Sequence, residues 1–103
     1  MDKKTDKKVK SFVKRIKTKF NIERVIFFGS RSKGIFRRNS DYDVILVSKD
    51  FRGMRFTDRM TKIYPYWGYT DSIDPFCYTP EEFNKLKKQI TIVREAVRTG
   101  IEI

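Results

Sequence analysis

The stretch GSRSKGIFRRNSDYDVILV, Gly29–Val47, sets the main question of the chain. A Gly-Ser pair follows the apolar run RVIFF, Arg24–Phe28. Two aspartates, Asp41 and Asp43, stand at the mouth of a second apolar run, DVILVS, Asp43–Ser48. Both runs are short and rich in β-branched and aromatic residues, which predicts buried strands. Residues two apart on a strand face the same side, so Asp41 and Asp43 project together. Like charges that close repel, and one takes up a proton unless something positive stands between them. Arg37 or Arg38 beside a Ser40-Asp41 turn could serve, and so could a metal ion.

The segments on either side predict helices packed on a small sheet. DKKTDKKVKSFVKRIKTKFN, Asp2–Asn21, is a basic amphipathic helix whose apolar stripe is Val9, Phe12, Val13, Ile16 and Phe20. Phe56, Met60, Ile63, Tyr64 and Trp67 share helical spacing, and Pro65 ends or kinks that helix. SIDPFCY, Ser72–Tyr78, reads as a third strand. Pro75 cannot donate to a ladder, which places that strand at a sheet edge. In TPEEF, Thr79 is an N-cap, Pro80 takes the first helical position and Glu82 completes a capping box. One final helix then buries Phe83, Leu86, Ile90, Val93 and Val97 and ends at Gly100. The order helix, strand, strand, helix, strand, helix makes the expected class α/β (α+β), a mixed sheet of three to four strands.

At 103 residues the expectation is a single domain spanning 1–103, able to bury roughly two-thirds of its unfolded surface. Lys and Arg number 24 against 13 Asp and Glu, a net charge of +11 that favours anionic partners. With no histidine and one cysteine, His-ligated zinc, cysteine clusters and His-dependent nucleophiles are excluded, and Cys77 reads as a small core residue. No apolar run approaches the ~18 residues of a membrane span, and the charged start leads into no signal-type stretch. A cytoplasmic protein with no membrane partner is the expectation.

The glycine at 29 lets the backbone approach a ligand closely, and a short helix opening at Ser30 would offer amides to phosphate. Arg31 and Lys33 add charge nearby, as phosphate contacts or as solvated loop charges. A third acid, Asp74, lies inside the third apolar strand, where a lone buried carboxylate is costly. If that strand lies beside the second, Asp74 joins Asp41 and Asp43. Three carboxylates on adjacent strands suit two Mg²⁺ ions ~3.5–4 Å apart. Asp71 is the competing acid and is assigned to the preceding loop.

Gly29-Ser30, ten residues, then Asp41-Tyr42-Asp43 resembles the signature of the polymerase-β nucleotidyltransferase superfamily. With SIDPFCYTPEEF downstream and the ending REAVRTGIEI, the chain is similar to the minimal nucleotidyltransferase (MNT) proteins. Pro75 departs from the aliphatic residue usual in that family. The resemblance implies a nucleotidyltransferase fold in which Gly29 and Ser30 bind the β- and γ-phosphates of ATP, and Asp41 and Asp43 ligate Mg²⁺. Asp74 would ligate the catalytic metal and help deprotonate an acceptor hydroxyl, which attacks the α-phosphorus. The resemblance also implies a partner. Such proteins commonly pair with a helical HEPN protein as antitoxins, in some cases by adenylylating a tyrosine on it. A chain of this length leaves no room for a domain that grips an acceptor. Tyr64, Tyr66, Trp67 and Tyr69 offer interface aromatics, with Tyr64 and Trp67 assigned to core packing. A homodimer, a module that neutralises its partner by contact alone, and a nucleic-acid binder using the basic first helix stay open.

Overall fold

The computed structural model describes residues 6–34 and 40–103; Arg37 and Arg38, considered above as partners for the Asp41 turn, lie outside them. The first element, α1 (Lys7–Lys17), buries Val9, Phe12, Val13 and Ile16 and turns its lysines outward. The Asp6 carboxylate caps it by accepting from the Lys8 amide at 2.8 Å. β1 (Ile22–Phe28) and β2 (Tyr42–Ser48) are antiparallel neighbours. α2 (Phe56–Ile63) continues into a 3₁₀ turn, Tyr64–Tyr66, where Pro65 stops the α-helical ladder. β3 (Ile73–Tyr78) then returns parallel to β2. α3 (Pro80–Leu86), α4 (Ile92–Thr99) and β4 (Ile101–Glu102) complete the chain.

The four strands form one mixed sheet in the order β3-β2-β1-β4. β3 is an edge strand, as Pro75 requires. β1 and β2 are apolar on both sides because the sheet is covered on both faces. Val25, Phe27, Tyr42, Val44 and Leu46 pack with α1, Phe51, Ile63 and Trp67. Ile26, Phe28, Ile45 and Val47 pack with Phe83 of α3 and with Val93 and Ala96 of α4. Each fully buried large side chain contributes about 1.5–3 kcal/mol of transfer free energy. Cys77 is fully buried in the first of these layers, and burial pushes its thiol up to about 12.

The capping box at α3 is present: Glu82 N donates to Thr79 Oγ1 at 3.2 Å, and Thr79 N donates to Glu82 Oε1 at 2.9 Å. The same Glu82 pairs with Arg59 at 2.6 Å, and Arg59 also donates to the Cys77 carbonyl at 3.0 Å. That contact ties α2 to β3 and to the start of α3.

Two expectations need correction. The last helix is two helices. Thr91 Oγ1 donates to the Leu86 carbonyl and accepts from the Arg94 amide, ending one helix and capping the next. Ile90 falls between them and is 93% exposed, and Val97 is 41% exposed, so neither belongs to the buried stripe. Tyr64, assigned to the core, is 43% exposed, whereas Trp67 is buried. The expected sheet of three to four strands has its fourth strand in β4. It pairs with Ile26 and Phe27 through two residues, too few to show a period. Gly100 precedes it because a Cβ there would lie 2.6 Å from the Ala96 carbonyl and 2.7 Å from Ile26 Cγ2.

Candidate active site

The sheet registers bring the sequence-predicted residues to one end of three strands. Phe28, the last residue of β1, is the partner of Asp43 on β2, and Asp43 is in turn the partner of Asp74 on β3. The Gly29 turn therefore starts beside Asp43. Gly29 has φ +83°, and a Cβ there would stand 2.5 Å from the Asp43 Oδ2. Only glycine accepts that backbone and that approach. The 3₁₀ turn Ser30–Lys33 follows, closed by Ser32 N and Oγ donating to the Gly29 carbonyl at 3.1 and 2.7 Å. Ser30 and Lys33 are exposed on it.

Parallel register partners face the same side, so Asp43 and Asp74 share a face, and alternation adds Asp41 just before β2. Their mutual effect is visible in their protonation. Burial, then the charges of Asp74 and Asp41, push the Asp43 carboxyl up to about 6. Burial, then the charge of Asp41 and a hydrogen bond with it, raise Asp74. These are carboxylates held together without enough positive charge.

The all-oxygen donor set suits a hard cation such as Mg²⁺, which keeps waters and phosphates in its shell. Among the described residues, no three acidic, cysteine or histidine side chains are already closed around a point that could hold a metal ion. Asp41, Asp43 and Asp74 are the side chains that could contribute oxygen donors to such an ion.

Arg31 and Asp71 take other places. The Arg31 guanidinium is nearly buried, with its side chain 8% exposed. It donates to the Ser40 carbonyl at 3.0 Å and the Tyr42 hydroxyl at 3.2 Å, and stands 3.5 Å from Asp71. It also lies over the Tyr42 ring at 4.4 Å. Arg31 therefore fastens the turn to the start of β2. Asp71 belongs to the loop, as expected. The Lys8 ammonium hydrogen-bonds it at 2.6 Å and holds its carboxyl below the usual range. Tyr42, unassigned in sequence reasoning, is the hub between these groups. Its hydroxyl donates to Asp6 Oδ2 at 3.0 Å, and burial with that bond pushes it up to about 12.

A cleft of about 480 Å³ opens beside the acids on the β3 side. Asp41, Asp74, Tyr64, Trp67 and Tyr69 contribute to its lining. Sequence reasoning missed Tyr64 here; its place directly before Pro65, where the α-helix must end, was the available signal. A larger cleft of about 810 Å³, lined in part by Asp6, Phe27, Lys33 and Ile101, contains none of the three acids. Asp41 and Asp74 line the smaller cleft, and Arg31, Ser32, Lys33 and Gly34 of the turn line the larger one.

Comparisons with known proteins agree with this geometry. A family model described as a nucleotidyltransferase domain matches residues 9–99. Among solved structures, a candidate nucleotidyltransferase from Sulfolobus solfataricus superposes with a TM-score of 0.62 at 28% identity, over 79% of this chain and 72% of that one. BolA1 from Arabidopsis thaliana superposes with a TM-score of 0.58 at 19% identity, over 76% of this chain and 98% of that one, a likeness of fold alone. No curated protein matches significantly. With the matched region reaching from α1 to the end of α4 and enclosing the turn and all three acids, the chain belongs to the nucleotidyltransferase-domain family.

Proposed function

We propose that this protein is a Mg²⁺-dependent nucleotidyltransferase that moves AMP from ATP to a hydroxyl on a HEPN-type helical partner, as an antitoxin does. One observation carries the chemistry: Asp43 and Asp74 are register partners beside a glycine turn that lies against Asp43. The choice of ATP and of a HEPN partner rests on the resemblance to MNT proteins in Gly29-Ser30, Asp41-Tyr42-Asp43 and SIDPFCYTPEEF.

In this reading the Gly29-Ser30 turn receives the terminal phosphates, and the absent Cβ lets the Asp43 carboxylate lie against that turn. Asp41, Asp43 and Asp74 would hold Mg²⁺, which supplies neutralisation of charge on the transferring phosphate. Asp74, which lines the cleft, takes the proton of the acceptor hydroxyl. The hydroxyl oxygen bonds to the α-phosphorus and pyrophosphate leaves.

Mass spectrometry of the copurifying partner after incubation with ATP and Mg²⁺ tests this. An AMP adduct formed by wild type and absent with Asp41→Ala/Asp43→Ala is the expected result. An unmodified partner that is still neutralised by the double variant would replace the enzyme with a contact-only antitoxin.

A further inference from the structure

We propose that Tyr64 is itself an acceptor, so that the chain transfers a nucleoside monophosphate to its own Tyr64 hydroxyl. The proposal rests on the nucleotidyltransferase reading of the acids and adds a target within the chain.

The argument begins with lateral order. The Gly29 turn leaves β1, Asp43 lies on the neighbouring β2, Asp74 lies on the edge strand β3, and the cleft lined by Tyr64 adjoins Asp74. Displacement at phosphorus places nucleophile and leaving group on opposite sides. Terminal phosphates against the Gly29 turn put the departing pyrophosphate on the β1 side. The nucleophile must then enter from the β3 side, where the cleft opens.

Among the described residues, three that bear a hydroxyl line that cleft: Tyr64, Tyr69 and Ser72. The Tyr69 ring is engaged by its edge-on contact with Trp67 at 4.9 Å and by Lys8 and Arg15 at 5.4 and 5.6 Å from its centre. Ser72 is anchored through its carbonyl, which accepts from the Tyr42 amide at 2.8 Å. Tyr64 is 43% exposed and lies within electrostatic reach of both Asp74 and Asp41. Its backbone is fixed: Pro65 follows it, and Arg15 holds the Tyr66 and Trp67 carbonyls at 2.8 Å each. A hydroxyl on a partly exposed side chain with a fixed backbone, lining the same cleft as Asp41 and Asp74, is placed as an acceptor must be.

The step balances with a nucleoside triphosphate as the only co-reactant. The Tyr64 oxygen bonds to the α-phosphorus, the bond from that phosphorus to the bridging oxygen breaks, and pyrophosphate leaves. The phenolic proton passes to the Asp74 carboxylate. The nucleotidylated tyrosine then fills the cleft, so self-transfer ends after one turnover and competes with an acceptor arriving from outside.

The test uses the full chain alone, with Mg²⁺ and each of the four ribonucleoside triphosphates in turn, followed by intact mass and peptide mapping. One nucleotidyl group per chain, on Tyr64, is expected, and Tyr64→Phe and Asp74→Asn should each lose it. A readout independent of turnover is paramagnetic broadening by Mn²⁺ alone. It should affect the Tyr64 ring signals more than those of Tyr78 at the far end of β3. A wild-type chain that MgATP stabilises against heat but does not modify would overturn the proposal while leaving the site reading intact. Modification persisting in Tyr64→Phe would do the same. No nucleotide-induced stabilisation and no Mn²⁺ broadening would overturn both.

Discussion

Asp43 of β2 and Asp74 of β3 are opposed partners in a parallel strand pair, and after burial the charge of Asp74 is the chief reason Asp43 holds its proton up to about 6. The shift of Asp74 traces instead to burial and then to Asp41. The three acids therefore repel one another pairwise, with the Gly29 turn against Asp43.

That repulsion makes ligand-free stability depend on pH. Asp43 is raised from an ordinary 3.8 to about 6, so between those values the folded state binds more protons than the unfolded one. Stability should fall as pH rises through this window and stay reduced above it. Asp43→Asn removes the penalty. We expect its melting temperature at about pH 7.5 to exceed that of wild type by ~2–4 °C, with the gain disappearing toward about pH 4. Mg²⁺ competes with the same proton, so stabilisation by MgATP should grow as pH rises through about 6. Thermal melts across pH, with and without MgATP, measure both effects. A gain from Asp43→Asn that is independent of pH would disprove the charge origin.

Gly29→Ala should damage both fold and site. A side chain at φ +83° is strained, and its Cβ would meet Asp43 Oδ2 at 2.5 Å. We expect a loss of about 1–3 kcal/mol and no stabilisation by MgATP. Adding Asp43→Ala should recover only part of the stability, because the steric conflict is relieved and the backbone strain is not. Urea melts of the single and double variants decide it; full recovery would place the whole cost in the clash.

Arg31 should behave as a tether. Its partners among the described residues include the Ser40 carbonyl, the Tyr42 hydroxyl and Asp71, reached from a nearly buried guanidinium. Arg31→Lys keeps the charge and loses the planar fork. We expect Arg31→Lys to lose about 1–3 kcal/mol of stability, close to the loss in Arg31→Ala. Full stability in Arg31→Lys would show that charge alone suffices.

Much of this site was legible in the residues because carboxylates are conspicuous in apolar runs. Asp43 opens DVILVS and Asp74 interrupts SIDPFCY, and each is too costly there to be incidental. Pro75 even told that β3 is an edge strand. The roles of Arg31 and Tyr42 were hidden because they depend on Asp6 and Asp71, which only the tertiary fold brings near. The break between α3 and α4 was hidden for a different reason. Ile90 keeps helical spacing with Leu86 and Val93, and the hydroxyl of Thr91 overrides that spacing by bonding to Leu86 and Arg94. Tyr64 likewise keeps the spacing of α2, but the 3₁₀ turn forced by Pro65 carries it to the rim of the cleft.

The most direct measurement follows the phosphorus. The protein, together with any protein that copurifies with it, is incubated with Mg²⁺ and ATP labelled at either the α- or the γ-phosphate. Nucleotidyl transfer through the Asp43–Asp74 pair predicts label on protein from α-labelled ATP only, abolished in both Asp43→Asn and Asp74→Asn. Label from γ-labelled ATP, or α-label transfer that survives both substitutions, would contradict it.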